Sequence, residues 1–258
     1  MIKVILCGCQ GRMGQAIATK VESEKALGIK IVAGVDINGS SGAQVCSFPV
    51  YSSISDFPGK ADAIIDFSHH TALPALLDYS ISTSTPIVVA TTGHTVEEIE
   101  LMKSASEKVA VFSSGNMSIG INLLIELCRK ASSTLGLGFD IEIIEKHHNK
   151  KLDAPSGTAL MIANAIADER GECDSEFVYD RHTVRKPRES KEIGIHSVRG
   201  GTIVGEHEVL FAGENEMITI SHSAASREIF AAGALRASVY IAGKMAGLYN
   251  MTDLINNI

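Results

Sequence analysis

The sequence predicts an α/β protein in two parts: a doubly wound, mostly parallel sheet, then a smaller α+β region with a mixed sheet. Three observations predict it. Up to about residue 117, short apolar runs alternate with stretches of helical periodicity, the pattern of βαβ units. Beyond that point strand-like runs follow one another across glycine turns, as in an antiparallel or mixed sheet. The chain has 258 residues, enough for one large domain or two modest ones, each able to close a core.

Taken in order, Ile2–Cys7 is an apolar run ending in glycines, the mark of a buried strand. Residues 12–25 place Met13, Ile17 and Val21 four apart and read as a helix. Ile29–Val35 is a second, β-branched strand, and residues 61–67, 86–91 and 109–113 are the third to fifth. Helical stretches near 71–82 and 95–107 connect them, and strand twist makes such crossovers right-handed. After residue 117, Leu123, Leu124, Leu127 and Ala131 mark one helical face, and residues 140–145 read as a strand. A helix is expected from Ser156 to about Glu169, just behind Pro155. Residues 193–198, 203–211 and 217–221 are strand-like and joined by turns at Gly200-Gly201 and Gly213. Residues 227–248 form a long Ala-rich helical stretch, and the polar stretch 172–191 reads as a mobile loop.

Composition excludes several classes. Hydrophobic residues make up 45% and charged residues 21%, which is ordinary for a globular chain and excludes disordered and fibrous ones. Aromatics are 5% and Trp is absent, so a stacking surface for bases is not expected. The net charge of −7 opposes nucleic-acid and anionic-membrane partners; an anionic ligand must be held by local groups. Cys7, Cys9, Cys46, Cys128 and Cys173 are odd in number and form no CxxC pair. Neither a disulfide framework nor a zinc module fits, and a cytoplasmic protein with reduced thiols is expected. The opening strand is too short for a signal-peptide core, and no apolar run of about 18 residues occurs to span a membrane.

The first chemical motif is Gly8-Cys9-Gln10-Gly11-Arg12-Met13-Gly14, between a strand and a helix. Glycines there permit a tight turn and close approach of a pyrophosphate, which the N–H groups opening the helix bind. Asp36 ends the second strand 22 residues beyond Gly14, close to the spacing of a ribose-binding acid. The pattern predicts a Rossmann-like dinucleotide site. Asp36 repels a 2′-phosphate and is followed by Ile37 and Asn38, with no further cation until Lys60. NADH is therefore expected over NADPH, with Arg12 the one nearby cation that would help the latter. Ala90-Thr91-Thr92-Gly93 and Ser114-Gly115-Asn116-Met117 follow the fourth and fifth strands. Their position serves equally a strand-ending turn and a contact with nicotinamide.

The second motif lies between Glu145 and Thr158. Residues 146–151 hold two His and three Lys, and Ser156-Gly157-Thr158 follow at the expected helix start. Backbone N–H groups and a hydroxyl at a helix start suit a carboxylate, and imidazolium and ammonium groups attract anions and donate protons. The plain alternative is a solvated Lys-rich loop with Ser156 as a helix cap. His147 and His148 lack the spacing of a helical metal pair, so no metal is expected. His207, between Glu206 and Glu208, reads as an exposed strand residue, and His69-His70 either border the nucleotide or lie on the surface.

These segments, together with Asn116-Met117-Ser118-Ile119-Gly120, residues 198–207 and residues 221–227, resemble the dihydrodipicolinate reductase family of bacterial lysine and diaminopimelate biosynthesis. The His-His-x-x-Lys-x-Asp-x-Pro-Ser-Gly-Thr run is the specific part. Ala90 stands where the family often has Gly, and the cation after Asp36 found in NADPH-competent members is missing. The resemblance implies NAD(P)H-dependent reduction of 4-hydroxy-tetrahydrodipicolinate to tetrahydrodipicolinate, with hydride delivered to ring C4 and an active-site acid protonating the ring. It implies His147 as proton donor or acceptor and Lys151 as a second donor. It also implies His148, Gly157 and Thr158 on a substrate carboxylate. Gly8, Cys9, Gln10, Gly11, Arg12, Met13, Asp36, Ala90, Thr91, Thr92, Ser114, Gly115, Asn116 and Met117 are implied to bind the nucleotide. It further implies a dinucleotide-binding domain of residues 1–117 and 228–258, a substrate-binding and oligomerisation domain of residues 118–227, and a homotetramer. Competing readings are another Rossmann-fold amino-acid or semialdehyde dehydrogenase and a non-catalytic nicotinamide sensor.

Overall fold

The structure, a computed structural model, describes residues 1–39, 43–44, 47–171, 176–183 and 185–257. Cys46, Cys173 and part of the stretch read as a mobile loop lie outside the described residues. The chain divides into two compact units, Met1–Ile119 with Glu228–Ile258, and Gly120–Arg227.

The first unit is built on one eight-stranded sheet. Its strands are β1 (Ile2–Cys7), β2 (Ile29–Val35), β3 (Ala43–Gln44), β4 (Pro49–Tyr51), β5 (Ala63–Asp66), β6 (Ile87–Val89), β7 (Ala110–Ser113) and, from the end of the chain, β13 (Gly247–Tyr249). They lie in the order β13-β7-β6-β5-β1-β2-β4-β3, and all pairs are parallel except β3 with β4. Because side chains alternate along a strand, the apolar runs divide between two cores. Val4, Leu6, Ile65 and Val88 face helices α1 (Arg12–Ser23) and α6 (Glu228–Ile241), meeting Ile17, Ala234 and Leu235. Ile5, Ile64, Ile87 and Val89 face α2 (Leu73–Thr83) and α3 (Val96–Ser106), meeting Leu73, Leu77 and Met102. A sheet covered on both faces explains why these strands read as continuous apolar runs.

The helix expected over residues 227–248 ends at Ile241. Gly243 takes φ +79°, a left-handed turn that costs glycine little. The chain then forms β13, parallel to β7, and the short helix α7 (Met251–Ile255). Alanine-rich composition favours helix throughout this stretch, and Gly243, two residues past the end, was the stop signal that the longer helix overran.

The second unit contains α4 (Ile119–Leu135, which starts at the boundary), β8 (Asp140–His147), α5 (Gly157–Arg170), β9 (Glu176–Val178), β10 (Glu192–Arg199), β11 (Gly205–Ala212) and β12 (Met217–Ala224). The sheet order is β12-β11-β8-β10-β9. β10 runs parallel to β8 and β9, and β11 runs antiparallel to β8 and β12. Consecutive strands β10 and β11 are thus not neighbours, since β8 lies between them. Glu176–Val178 is a strand inside the stretch expected to be loop. One sheet face packs Ile141, Ile143, Ile195, Val209 and Phe211 against α4 and α5. The buried face of α4 is Ile121, Leu124, Ile125 and Cys128, whereas Leu123 and Leu127 are 46% and 48% exposed. Both stripes have helical spacing, and only packing selects between them.

Candidate active site

The glycine loop follows β1 in a conformation that only glycine fits. Gly8 has φ +73°, and a Cβ there would lie 2.4 Å from the Phe67 carbonyl oxygen. A Cβ at Gly14 would lie 2.3 Å from the Gly8 oxygen, so helix α1 begins with its backbone pressed against the loop. Gly11 caps α1 with no side-chain hydrogen bond, which leaves the positive helix end to be completed by an anion. Asp36, at the end of β2, accepts hydrogen bonds from the Gln10 N–H at 3.1 Å and the Asn38 N–H at 3.4 Å. The loop and the acid therefore share one rim. A cleft of about 360 Å³ opens beside them, lined among others by Gly8, Gly11, Asp36, Ser53, Ser68 and His69. His69 thus borders the cleft, while His70 turns to Glu98 at 2.9 Å. The cradle that a Cβ would fill and the carboxylate beside it fit a dinucleotide.

The loops after β6 and β7 lie at the same carboxyl edge. Thr91 donates its hydroxyl to Asp66 at 2.9 Å. Asp66 is fully buried at the end of β5, and desolvation pushes its carboxyl pKa up despite bonds from Ser68 and Thr91. Ser114 bonds the Asn116 carbonyl, and Asn116 Oδ1 accepts from Ser118 N–H at 2.8 Å. Ala90, Cys9 and Met117 are buried at 7%, 1% and 3% exposure, so toward a ligand they offer backbone. Gly11, Arg12, Thr92 and Gly115 are exposed on this edge.

In the second unit, polar side chains converge where β8 ends and α5 begins. Glu145 is fully buried. Its Oε1 accepts from Arg199 at 2.6 Å and from the Ser156 N–H at 3.1 Å. Its Oε2 accepts from Arg199 at 2.8 Å and from His147 Nδ1 at 2.6 Å. Burial alone would raise this carboxyl, but the bonds from Arg199, His147, Ser197 and Ser156 win and hold it at about 2. His147, 9% exposed, is thereby fixed through Nδ1, and a Cβ on Gly205 would lie 3.1 Å from its Nε2. Glycine at that point lets the ring lie against the β11 backbone.

His207 corrects an expectation. It is 4% exposed rather than open to solvent, because β11 turns Glu206 and Glu208 to one face and His207, Val209 and Phe211 to the other. Its ring stands edge-on to His147, with centroids 5.3 Å apart. Ser156 Oγ accepts from the Ala159 N–H, capping α5, and shares a hydrogen bond with His207 Nε2 at 3.1 Å. Desolvation and the neighbouring His147 lower the His207 pKa to about 4, so the ring is neutral.

The remaining predicted residues gather here. Gly157 and Thr158 open α5. His148 and Lys151 lie on a turn closed by the Lys151 N–H bond to the His148 carbonyl. That turn is pinned to the Gly200–Gly201 turn by Asn149 and Gly200 N–H groups. Lys151 Nζ meets Asp153 at 2.8 Å. Glu145, Arg199 and His207 were given no role in the site from sequence. Glu145 lies two residues before His147 on one strand face, and Arg199 lies opposite His147 in the β8–β10 register. The first signal was readable; the second needs the pairing. Among the described residues no group of three or more His, Cys, Asp and Glu could hold a metal ion.

A glycine-loop sheet with an acid ending its second strand, in one chain with a unit that holds a His/Lys cluster at a helix start, defines a Rossmann-type oxidoreductase. Comparison with known proteins narrows the class. The family models for the N-terminus and the C-terminus of dihydrodipicolinate reductase match residues 2–117 and 120–255, and the chain belongs to that family. It is 50% identical over 255 residues to the 4-hydroxy-tetrahydrodipicolinate reductase of Caldanaerobacter subterraneus subsp. tengcongensis, covering 99% of this chain and 98% of that one. It is 48% identical over 257 residues to the enzyme of the same name from Clostridium novyi, covering 100% and 99%. The solved structure of dipicolinate-bound dihydrodipicolinate reductase from Paenisporosarcina sp. TG-14 superposes with a TM-score of 0.80 at 26% identity, covering 97% of both chains.

Proposed function

We propose that the chain reduces 4-hydroxy-tetrahydrodipicolinate to tetrahydrodipicolinate in lysine and diaminopimelate biosynthesis. The observation that carries the reading is His147, tied to buried Glu145 through Nδ1 with Nε2 left for chemistry, beside a helix start suited to a carboxylate. Residues 1–117 and 228–258 would hold the nucleotide, through the glycine loop, Asp36 and the loops after β6 and β7. A reduced nicotinamide bound there supplies the hydride. Residues 118–227 would hold the dicarboxylate. His148, Gly157 and Thr158 bind a carboxylate at the start of α5, where backbone N–H groups and the helix dipole favour an anion. His147 Nε2 delivers a proton to the ring carbon next to the hydride acceptor at C4, and the Lys151 ammonium is the second donor within the cluster. A positioned acid contributes about 10²–10⁴-fold to such a step.

NADH is the preferred cofactor in this reading, because Asp36 accepts from ribose hydroxyls and repels a 2′-phosphate. In this reading the protein is a cytoplasmic homotetramer, and the face of the second sheet that carries Ile144, Val198 and Leu210, which no described helix of that unit covers, is open to assembly. No described helix is long and apolar enough to cross a membrane. The test generates the unstable substrate in situ with its synthase and follows NADH oxidation, with amino acids and semialdehydes run alongside. Oxidation that depends on the synthase is expected. Turnover only on an amino acid or semialdehyde would overturn the reading.

A further inference from the structure

We propose that Glu145 and Arg199 are positioning residues that fix the tautomer and charge of His147, making Nε2 the nitrogen that exchanges the proton with the substrate. This rests on the reading of His147 as the proton donor.

The carboxylate of Glu145 is saturated. Oε1 accepts from Arg199 and the Ser156 N–H, Oε2 accepts from Arg199 and His147 Nδ1, and the Ser197 side chain adds a further bond. With the side chain fully buried, none of these bonds is shared with water. An ionised carboxylate has no hydrogen to give, so the proton between Oε2 and Nδ1 belongs to the imidazole. The opposite tautomer would set two lone pairs against each other at 2.6 Å. Neutral His147 therefore carries its hydrogen on Nδ1 and presents an empty Nε2; once protonated, it can lose a proton only from Nε2.

Arg199 sets the strength of this arrangement. Its fork binds both oxygens and the Asp153 carbonyl at 2.7 Å, neutralising most of the charge that His147 feels. Without Arg199, the bare carboxylate would hold the imidazolium proton more tightly. Without Glu145, the ring would lose its anionic partner and release the proton more easily. The two substitutions thus act on the proton held by His147 in opposite senses. The other charged or titratable groups near the ring are His207 on β11, with His222 in register beside it, and His148, Lys151 and Asp153 on the turn after β8. All remain in both variants, so they do not produce an opposed pair of shifts.

The experiment measures pH profiles of kcat, with KM for NADH, in wild type, Glu145→Gln, Arg199→Met, Arg199→Lys and His147→Gln. Expected are a kcat about 10²-fold lower in Glu145→Gln and an NADH KM within about twofold of wild type. The profile limb lost in His147→Gln should move to lower pH in Glu145→Gln and to higher pH in Arg199→Met. Arg199→Lys, which keeps the charge, should leave it nearly in place. A parallel fall in kcat with no opposed movement of the limb would overturn the positioning role. Imidazole ¹⁵N spectra of the wild type, with the His147 signals assigned by their loss in His147→Gln, check the tautomer even where a variant does not fold. Protonated Nδ1 and bare Nε2 are expected for the neutral ring, and the reverse pattern would refute the inference. No synthase-dependent turnover by wild type, or normal turnover by His147→Gln, would refute instead the underlying function.

Discussion

Mild acid should destabilise the second unit through His207, and the size of the effect follows from its burial. The folded-state pKa is about 4 against 6.5 for an ordinary histidine. Between these values the unfolded chain binds the proton and the folded chain does not, so stability falls as pH drops below 6.5 and levels off below 4. From pH 7 to pH 5 the loss is about 2 kcal/mol for a pKa of about 4. His222, lowered by the same burial effect, adds to the loss in the same window. Glu145 does not, because its pKa is lowered from 4.5 to about 2; its contribution is intact above pH 4.5 and lost only as pH falls toward 2. His207→Gln removes the titration while keeping a hydrogen-bond partner for the Ser156 hydroxyl. The chain has no Trp, so urea unfolding is followed by far-UV circular dichroism at the two pH values and converted through midpoint and slope. Wild type should lose about 2 kcal/mol more than the variant between pH 7 and 5. Equal losses would refute the claim that His207 is buried neutral.

Three further outcomes follow from the proposed binding sites. Gly14→Ala places a Cβ 2.3 Å from the Gly8 oxygen, and relieving it should cost about 1–3 kcal/mol, raising the NADH Kd by roughly 5- to 150-fold in a fluorescence titration. Gly138→Ala, where a Cβ meets nothing within 4 Å and the backbone is not left-handed, should leave that Kd unchanged. Asp36→Ser should lower the ratio of kcat/KM for NADH over NADPH at least about tenfold, the scale of a hydrogen bond to a charged group. Thr158→Val should raise the substrate KM roughly 5- to 10-fold, the scale of one lost hydrogen bond, with kcat near wild type.

How much was legible in the sequence depended on how local the cause was. The glycine loop and Asp36 were legible because a tight turn, a helix start and a strand end are set by neighbours in the chain. The strands of the first sheet were legible because two buried faces leave no polar alternation to obscure them. Arg199 was not, because it reaches Glu145 across 54 residues and only the β8–β10 register brings them together. That register also placed β8 between strands that are consecutive in sequence. His207 was misread through its two glutamate neighbours. The apolar residues at 209 and 211, two and four positions on, were the better guide, since a strand's period of two puts them on its face. The exposed Leu123 and Leu127 show the same limit on a helix, where two stripes fit the period and the sheet beneath selects one.

The most direct test of the account is the kcat of His147→Gln with substrate generated by its synthase, beside the NADH Kd of the same variant. A fall of about 10²-fold or more in kcat with an unchanged Kd is the predicted result. Turnover within a few-fold of wild type would contradict it, and would leave the buried Glu145–Arg199 clamp without a proton to direct.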